Sequence, residues 1–382
     1  MIPATEREVK MEIKKLEIKT NGGYFQNSLM HTDVSYDNQY YYRHIYDDKK
    51  NLVNKEPCGN IVKLKNGKVN ILNALLVYTA KFQNTLGDLV TIRLPRDCFE
   101  EKKLLELVKY GVSVRGRTAE VLLKVLENQE SSVPIEYIYD ALGWKEINNK
   151  LVFLGLNKAI GMTAQYEGAW EGVKKAGSKE VWIDMVKAHV LGHPPLELAL
   201  AVGFASTAVG FLKRYIPTLD YFMIHAVGNS SSGKSTAAEL VVSMGSYPKI
   251  SGKERSMMLD YSSTEGALIK SLTEISGMPF AIDEVGMANS KNMTMLLYQI
   301  ASGREKARLR PDSEFKNNGF WEGLPFSTGE NGIHKYTQHN LGLYVRATNI
   351  ALDAWTKSAE HSNTIKEVVL HNYCCIRLVI KL

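Results

Sequence analysis

The sequence predicts an α/β protein in which a domain built on a parallel sheet follows a small α+β domain and a helical bridge. Three observations carry this. From about residue 217, apolar runs of strand length alternate with runs of helix length, the pattern of βαβ units. From 57 to 165, short alternating runs are separated by turn residues and interrupted by two helical stretches. From 166 to 216 the signals are helical throughout.

Residues 1–56 form a polar, tyrosine-rich segment. Within it, YDNQYYYRHIYDD (Tyr36–Asp48) mixes aromatics with Arg43 and His44. Such a mixture serves base stacking beside phosphate contacts, or, more plainly, a strand with aromatic faces, since tyrosine is a strong strand former. In the α+β domain, GNIVKLKNGKVNIL carries Asn66-Gly67 between two alternating runs, which predicts a hairpin turn there. ALLVYTAKFQNTLGDLVTIRLP repeats the theme around Leu86-Gly87-Asp88. EEKKLLELVKYG reads as an amphipathic helix closed by Gly111, a residue suited to a left-handed cap. AEVLLKVLENQ is a second helix, and IEYIYDALGWKEINNKLVFLG returns to strands turning at Asn148-Asn149. No catalytic constellation is visible in this domain.

The bridge holds SKEVWIDMVKAHVLG and then PPLELALAVGFASTAVGFL, Pro194–Leu212. Glu197 and the many small residues argue for a core helix rather than a bilayer span, which needs about 20 predominantly apolar residues. Pro194 or Pro195 suits a first helical turn. The domain over 217–382 then reads YFMIHAVG as a buried strand, KSTAAELVVSMG as a helix, STEGALIKSLTEI as a helix, MPFAIDEVG as a strand, KNMTMLLYQIASG as a helix and GLPFSTGEN as a third strand.

Bulk properties exclude little. A formal charge of +6 permits an acidic partner such as nucleic acid without requiring one. The four cysteines form no CxxC pair and no zinc-finger spacing with histidine, so reduced cytoplasmic thiols are expected. MIPATEREVKMEIKKLEIKT lacks the apolar region of a signal peptide. The expectation is a cytoplasmic chain with no membrane partner.

The chemistry begins at GNSSSGKS, which fits G-x-x-x-x-G-K-[ST] with Gly228, Gly233, Lys234 and Ser235. It stands after an apolar strand and opens a helix, where such a loop works. Gly228, Asn229, Ser230, Ser231, Ser232 and Gly233 are small enough for successive N–H groups to turn inward around a phosphate, and the helix N-terminus adds its positive end. Lys234 would reach the β- and γ-phosphates of ATP, Ser235 would ligate Mg²⁺, and Thr236 would sit nearby on the helix.

MPFAIDEVG ends an apolar run in Asp283-Glu284. Two carboxylates at that edge are costly unless they meet a cation or a water. Asp283 would hold Mg²⁺ directly or through water. Glu284, unable to point the same way, would polarise an attacking water. The third strand, LPFSTGEN, offers Thr328 as a sensor of the γ-phosphate, with Ser327 and Asn331 as competitors and a helix cap as the structural alternative. In ASGREKARLRPD, Arg304, Lys306, Arg308 and Arg310 fall on every second residue. On a strand all four share one face, which suits a phosphate backbone. The alternative is a solvated edge strand whose charges deter aggregation. Arg346 in LGLYVRATNI stands where an arginine acting in trans on a neighbour's site would be sought, or where an ordinary ion pair would serve.

Taken together, GNSSSGKST, GMPFAIDEVG, LLYQIASGREKARLR, PFSTGEN and LYVRA, in this order, resemble a prokaryotic family filed as domain of unknown function 927. That family includes cassette chromosome helicases of mobile genetic elements. KYGVSVRG and YIYDALGW extend the resemblance over roughly 57–375. It implies a P-loop NTPase, AAA+-like, that hydrolyses ATP with Mg²⁺ and moves on DNA as a homo-oligomeric ring, six subunits being the expected number. By matched position Gly228, Gly233, Lys234, Ser235, Asp283 and Glu284 take the ATP-site roles, Thr328 the sensor role and Arg346 the finger role. The chain departs from the family at NYCCIRLVIKL, where a helical lid would continue. This reads as a shortened lid and an impaired ATPase. A nucleotide-dependent assembly or DNA-binding module with little turnover is the alternative, and a P-loop kinase is disfavoured by Glu284.

Overall fold

The computed structural model describes residues 34–155, 159, 163–220, 222–250, 254–273, 275–288, 293–306, 319–337 and 341–373. Arg308, Arg310 and the terminal CCIRLVIKL lie outside the described residues, as does most of the 1–56 segment. The chain divides into two compact units. The first holds the described residues up to Tyr139 with a short return before Tyr166, and the second holds the rest.

In the first unit, β1 (Val34–Tyr36), β2 (Tyr40–Tyr46) and β3 (Leu52–Asn60) form an antiparallel sheet. A second sheet runs β10-β7-β4-β5-β6, from β4 (Val62–Asn70), β5 (Leu76–Gln83), β6 (Leu89–Pro95), β7 (Ile135–Tyr139) and, from the short return, β10 (Gln165–Tyr166). Between β6 and β7 lie a short helix over Glu101–Leu104, 3₁₀ turns ended by a left-handed Gly111 (φ 84°), and α1 (Gly116–Glu130). Leu122, Val125 and Leu126 of α1 pack with Tyr41, Leu64 and Tyr78 in one core. The buried Gln129 side chain pins α1 to β4, donating to the Val62 carbonyl (2.9 Å) and accepting from the Leu64 N–H (2.9 Å).

The expected hairpin at Asn66-Gly67 is corrected here. β4 runs straight through it, with only a bulge between Leu64 and Asn66. Gly67 pairs with Tyr78 on one side and Ile135 on the other. A Cβ on Gly67 would lie 2.6 Å from the Ile135 side chain and 2.9 Å from the Tyr78 ring. The glycine answers a close approach of neighbours rather than a turn. The turn over 84–88 forms as read, with Gly87 at φ 91°.

In the second unit, β8 (Leu142–Ile147) and β9 (Lys150–Leu154) make the hairpin expected at Asn148-Asn149, both residues having positive φ. The helix α2 (Lys179–Met185) is capped by the Ser178 hydroxyl and passes into a π-helical turn over Val186–Val190. Then comes α3 (Pro194–Leu212), with proline in its first turn. By length and hydropathy α3 could cross a membrane. One face of it is buried in this unit, where a Cβ on Gly203 would meet the Met244 sulfur and one on Gly210 would meet the Gly277 backbone.

The remaining elements are β11 (Met223–Val227), α4 (Lys234–Ser243), β12 (Met258–Asp260), α5 (Glu265–Leu272), β13 (Ile275–Ser276), β14 (Ala281–Asp283), α6 (Met293–Ser302), β15 (Phe326–Gly329), β16 (Ala347–Ala351) and α7 (Ala359–His371). β13 joins β8 and β9 in a small sheet. The other five strands form a parallel sheet in the order β12-β14-β15-β11-β16. The central strands β11, β14 and β15 are almost wholly buried, as expected within a parallel sheet. The element coming after β11 leads toward β12, whereas the one after β15 leads to β16 on the opposite side of β11. Ligand crevices open outside the carboxyl ends of strands at such a divergence.

Candidate functional site

The register of the sheet brings the sequence-predicted residues to one edge. Asp283 stands level with Asp260 on β12. The pairs Ile282–Ser327 and Ala226–Thr328 put Asp283, Thr328 and Ala226 on neighbouring rungs. The chain leaves β11 at Gly228 and makes its loop directly above them. Gly233 is left-handed (φ 93°) and serves as the N-cap of α4. A Cβ there would lie 2.5 Å from the Thr356 hydroxyl, so the position is closed to other residues on two counts. Ser231 is also left-handed (φ 62°). Alternating handedness in successive residues turns their N–H groups into a concave nest.

Behind the loop, the segment after β16 acts as a strap. The Trp355 N–H donates to the Ser232 carbonyl (2.6 Å), the Trp355 indole donates to the Val227 carbonyl (3.1 Å), and the Leu352 N–H donates to the same carbonyl (3.1 Å). In front lies a cleft of about 310 Å³ lined by the loop residues from Ser230 to Thr236, by Glu284 and Glu330, and by Ser362, Asn363 and Lys366 of α7. The Lys234 side chain is buried, and its ammonium donates to the Gly228 (2.9 Å) and Asn229 (2.8 Å) carbonyls. The Ser232 hydroxyl is buried on the cleft wall and has no protein partner among the described residues.

Asp283 is the hub of the acidic side. Its carboxylate accepts from the Ser235 hydroxyl (3.4 Å) and from the Thr328 hydroxyl. The Thr328 hydroxyl in turn accepts the Glu284 N–H (2.9 Å). Glu284 has φ 56° and ψ 74°, a left-handed backbone that costs a non-glycine residue about 1–2 kcal/mol. The bend separates the two adjacent carboxylates, leaving Asp283 against Ser235 while Glu284 lines the cleft. Strain of this kind persists where surrounding bonds over-determine it; here the Thr328 hydroxyl holds it.

Beneath the edge, His225 is fully buried. Its ring bonds the Ser327 hydroxyl (3.0 Å) and the Asn331 carbonyl (3.0 Å), and Tyr261 reaches the same Ser327 oxygen (3.0 Å). Burial pushes the imidazole down to about 4, so it is neutral and rigid at physiological pH. Glu239, on α4 beside the cleft, is held above the ordinary carboxylate range by burial despite Lys366 at 3.8 Å.

The matching family model is "Domain of unknown function (DUF927)", over residues 35–319. The chain belongs to that family. No curated protein matches. A solved structure titled "SCCmec type IV Cch - active helicase" is similar to this DUF927 chain, with a TM-score of 0.66 and 23% identity over 91% of this chain. The likeness shows a shared fold. The DUF927 chain spans 64% of that helicase's length.

Measured against the sequence reading, the structure of this DUF927 chain brings Gly228–Thr236, Asp283, Glu284 and Thr328 into one neighbourhood. Of the competitors for the third strand, Ser327 is turned into the His225 network, and Asn331 holds Lys335 (2.9 Å). Arg346 is elsewhere. It precedes β16 at the amino end of the sheet, stacks on Tyr298 and donates to the Gly342 carbonyl (3.0 Å). Arg304 bridges antiparallel to Phe320, and the Glu305 N–H meets the Gly319 carbonyl (2.8 Å), so the first half of the cation alternation forms one arm of a ribbon. Arg304 and Lys306 are exposed on that arm. Sequence reasoning missed α7 as a wall of the cleft. The signal was present: Ser358 caps it, and Ile365 and Val369 repeat at helical spacing.

Proposed function

We propose that the second unit binds ATP with Mg²⁺ and hydrolyses it, and that hydrolysis drives movement along DNA in a AAA+-like ring of a mobile or phage element. The observation that carries this is the bonded set Ser235–Asp283–Thr328–Glu284 at the mouth of a glycine-bounded loop. The residues suit the ligand. The unpartnered Ser232 hydroxyl and the inward-turned loop fit phosphate oxygens. Ser235 and Asp283 supply the oxygen donors that Mg²⁺ prefers.

In this reading Lys234 exchanges the Gly228 and Asn229 carbonyls for phosphate oxygens. Ser235 and Asp283 would hold Mg²⁺, which when bound offsets phosphate charge. Glu284 orients a water and takes its proton, and Thr328 keeps that carboxylate in the cleft. The exposed pair Arg304 and Lys306, continued by Arg308 and Arg310, grips the DNA backbone without reading sequence. Arg346 lies too far from its own cleft to act there and is assigned to a neighbouring subunit's site. The helicase title of the similar structure supports the motor reading.

Phosphate release is measured with and without single- and double-stranded DNA, beside nucleotide binding, for the wild type and Glu284→Gln. DNA should raise turnover several-fold. Glu284→Gln should bind ATP as the wild type does while losing about 10²–10⁴ in rate. ATP binding with no turnover under any DNA condition would assign the chain to a nucleotide-dependent assembly module instead. Normal turnover in Glu284→Gln would remove the water-activating role.

A further inference from the structure

The first unit carries a feature that the ATP site does not use. Side chains on β2 alternate between faces. Tyr41 points inward, is fully buried, and donates its hydroxyl to the Ser113 carbonyl (2.7 Å). Tyr40, Tyr42, His44 and Tyr46 therefore share the opposite face. The two bulges in the β2–β3 pair place their extra residues on β3, so the alternation along β2 is unbroken. Neighbouring rings stand 6.4 Å apart at Tyr40–Tyr42 and 6.3 Å apart at His44–Tyr46. Tyr40 is 42% exposed and Tyr46 37% exposed. This row does not belong to the hydrophobic core.

The formal charges around the row balance, but three of the cations, Lys49, Lys50 and Lys55, stand clear of carboxylate partners among the described residues. Between residues 34 and 60 the sequence has four cations (Arg43, Lys49, Lys50, Lys55) and four acids (Asp37, Asp47, Asp48, Glu56). Two of the acids are engaged by their own turns. Asp37 accepts the Gln39 and Tyr40 N–H groups and the Tyr42 hydroxyl. Asp47 accepts the Lys49 and Asn51 N–H groups and the Asn51 amide. Lys55 lies directly across from His44, on the ring face.

We infer that the outer face of the β1–β2–β3 sheet is a stacking platform for single-stranded DNA, with bases on Tyr40, Tyr42, His44 and Tyr46 and phosphates toward Lys49, Lys50 and Lys55. A duplex presents no free base faces and cannot use the rings. Each stacked base is worth about 1–3 kcal/mol by alanine substitution, or roughly 5- to 150-fold in affinity. The platform is distinct from the Arg304–Lys306 arm and stands whether or not the ATPase reading does.

The experiment uses the full chain without nucleotide and follows the anisotropy of a labelled thymidine 20-mer. Tyr40→Ala with Tyr46→Ala should weaken binding at least tenfold, while Tyr40→Phe with Tyr46→Phe, which keep the rings, should bind like the wild type. Lys234→Ala should bind the oligonucleotide normally, separating this surface from the ATP site. Affinity for a 20-base-pair duplex should be the same in all four proteins. Unchanged single-strand affinity in the alanine variant overturns the proposal, as does an equal loss on duplex. Lost self-association with intact DNA binding would overturn it too, assigning the rings to a protein contact.

Discussion

Thr328→Val tests the hub of the cleft at constant side-chain volume. The Thr328 hydroxyl is fully buried and makes two bonds, donating to the Asp283 carboxylate and accepting the Glu284 N–H at 2.9 Å. Valine removes both. An unpaired buried N–H costs about 1–3 kcal/mol and a lost hydrogen bond to a charge about 1.5–3 kcal/mol. Asp283 keeps the Ser235 hydroxyl and is only half-buried, so the second loss lies at the low end. The expected destabilisation is about 3 kcal/mol. All five tryptophans, Trp144, Trp170, Trp182, Trp321 and Trp355, lie in the second unit. Tryptophan fluorescence during urea unfolding therefore reports on that unit alone. Thr328→Ser keeps the hydroxyl and should stay within about 1 kcal/mol of wild type. Relieved of its acceptor, the left-handed turn at Glu284 relaxes, so Thr328→Val should also lose turnover. A Thr328→Val midpoint equal to wild type, with unchanged slope, would refute the bonding scheme.

Three further outcomes follow from the geometry. Lys234→Ala should abolish tight ATP binding, measured by calorimetry, because its ammonium is held against the loop at the Gly228 and Asn229 carbonyls. Replacing Arg304, Lys306, Arg308 and Arg310 together with glutamine should flatten the log–log dependence of single-stranded DNA affinity on salt by up to about 3, at about 0.7 per phosphate contact. For pH, burial holds His225 at about 4 in the fold against about 6.5 unfolded. The unfolded chain therefore binds the extra proton. Stability is complete above pH 6.5 and falls as pH drops toward 4, by up to about 3 kcal/mol. Tryptophan-monitored unfolding at pH 7, 5.5 and 4 should show this fall, and His225→Gln should flatten it.

The loop and the acidic strand were legible because their chemistry is local: Gly228 to Ser235 is one contiguous pattern, and Asp283-Glu284 follows an apolar run. Hairpins at 84–88 and 148–149 were legible for the same reason. Asn66-Gly67 misled, since the dipeptide favours a turn whereas the close approach of Ile135, far along the chain, decides the matter. β12 and β16 were not visible because three and five residues carry too little periodicity, and their pairing is non-local. The divergence of the Asp283 and Glu284 side chains was anticipated from adjacency, but the left-handed backbone that produces it was not. The α7 wall was missed because attention to motifs stops where motifs stop. Arg346 could be located in sequence but not in space.

β16 has a mechanical meaning. Its main chain is matched to β11 rung by rung from Met223–Ala347 to Val227–Ala351, so it cannot bend on its own. Arg346 is attached at one end, and at the other the chain enters the Leu352–Trp355 clasp behind the Gly228–Gly233 nest. Five residues at about 3.3 Å each make a rigid spacer of about 16 Å. The arginine and the rear of the nest are therefore held at a fixed spacing.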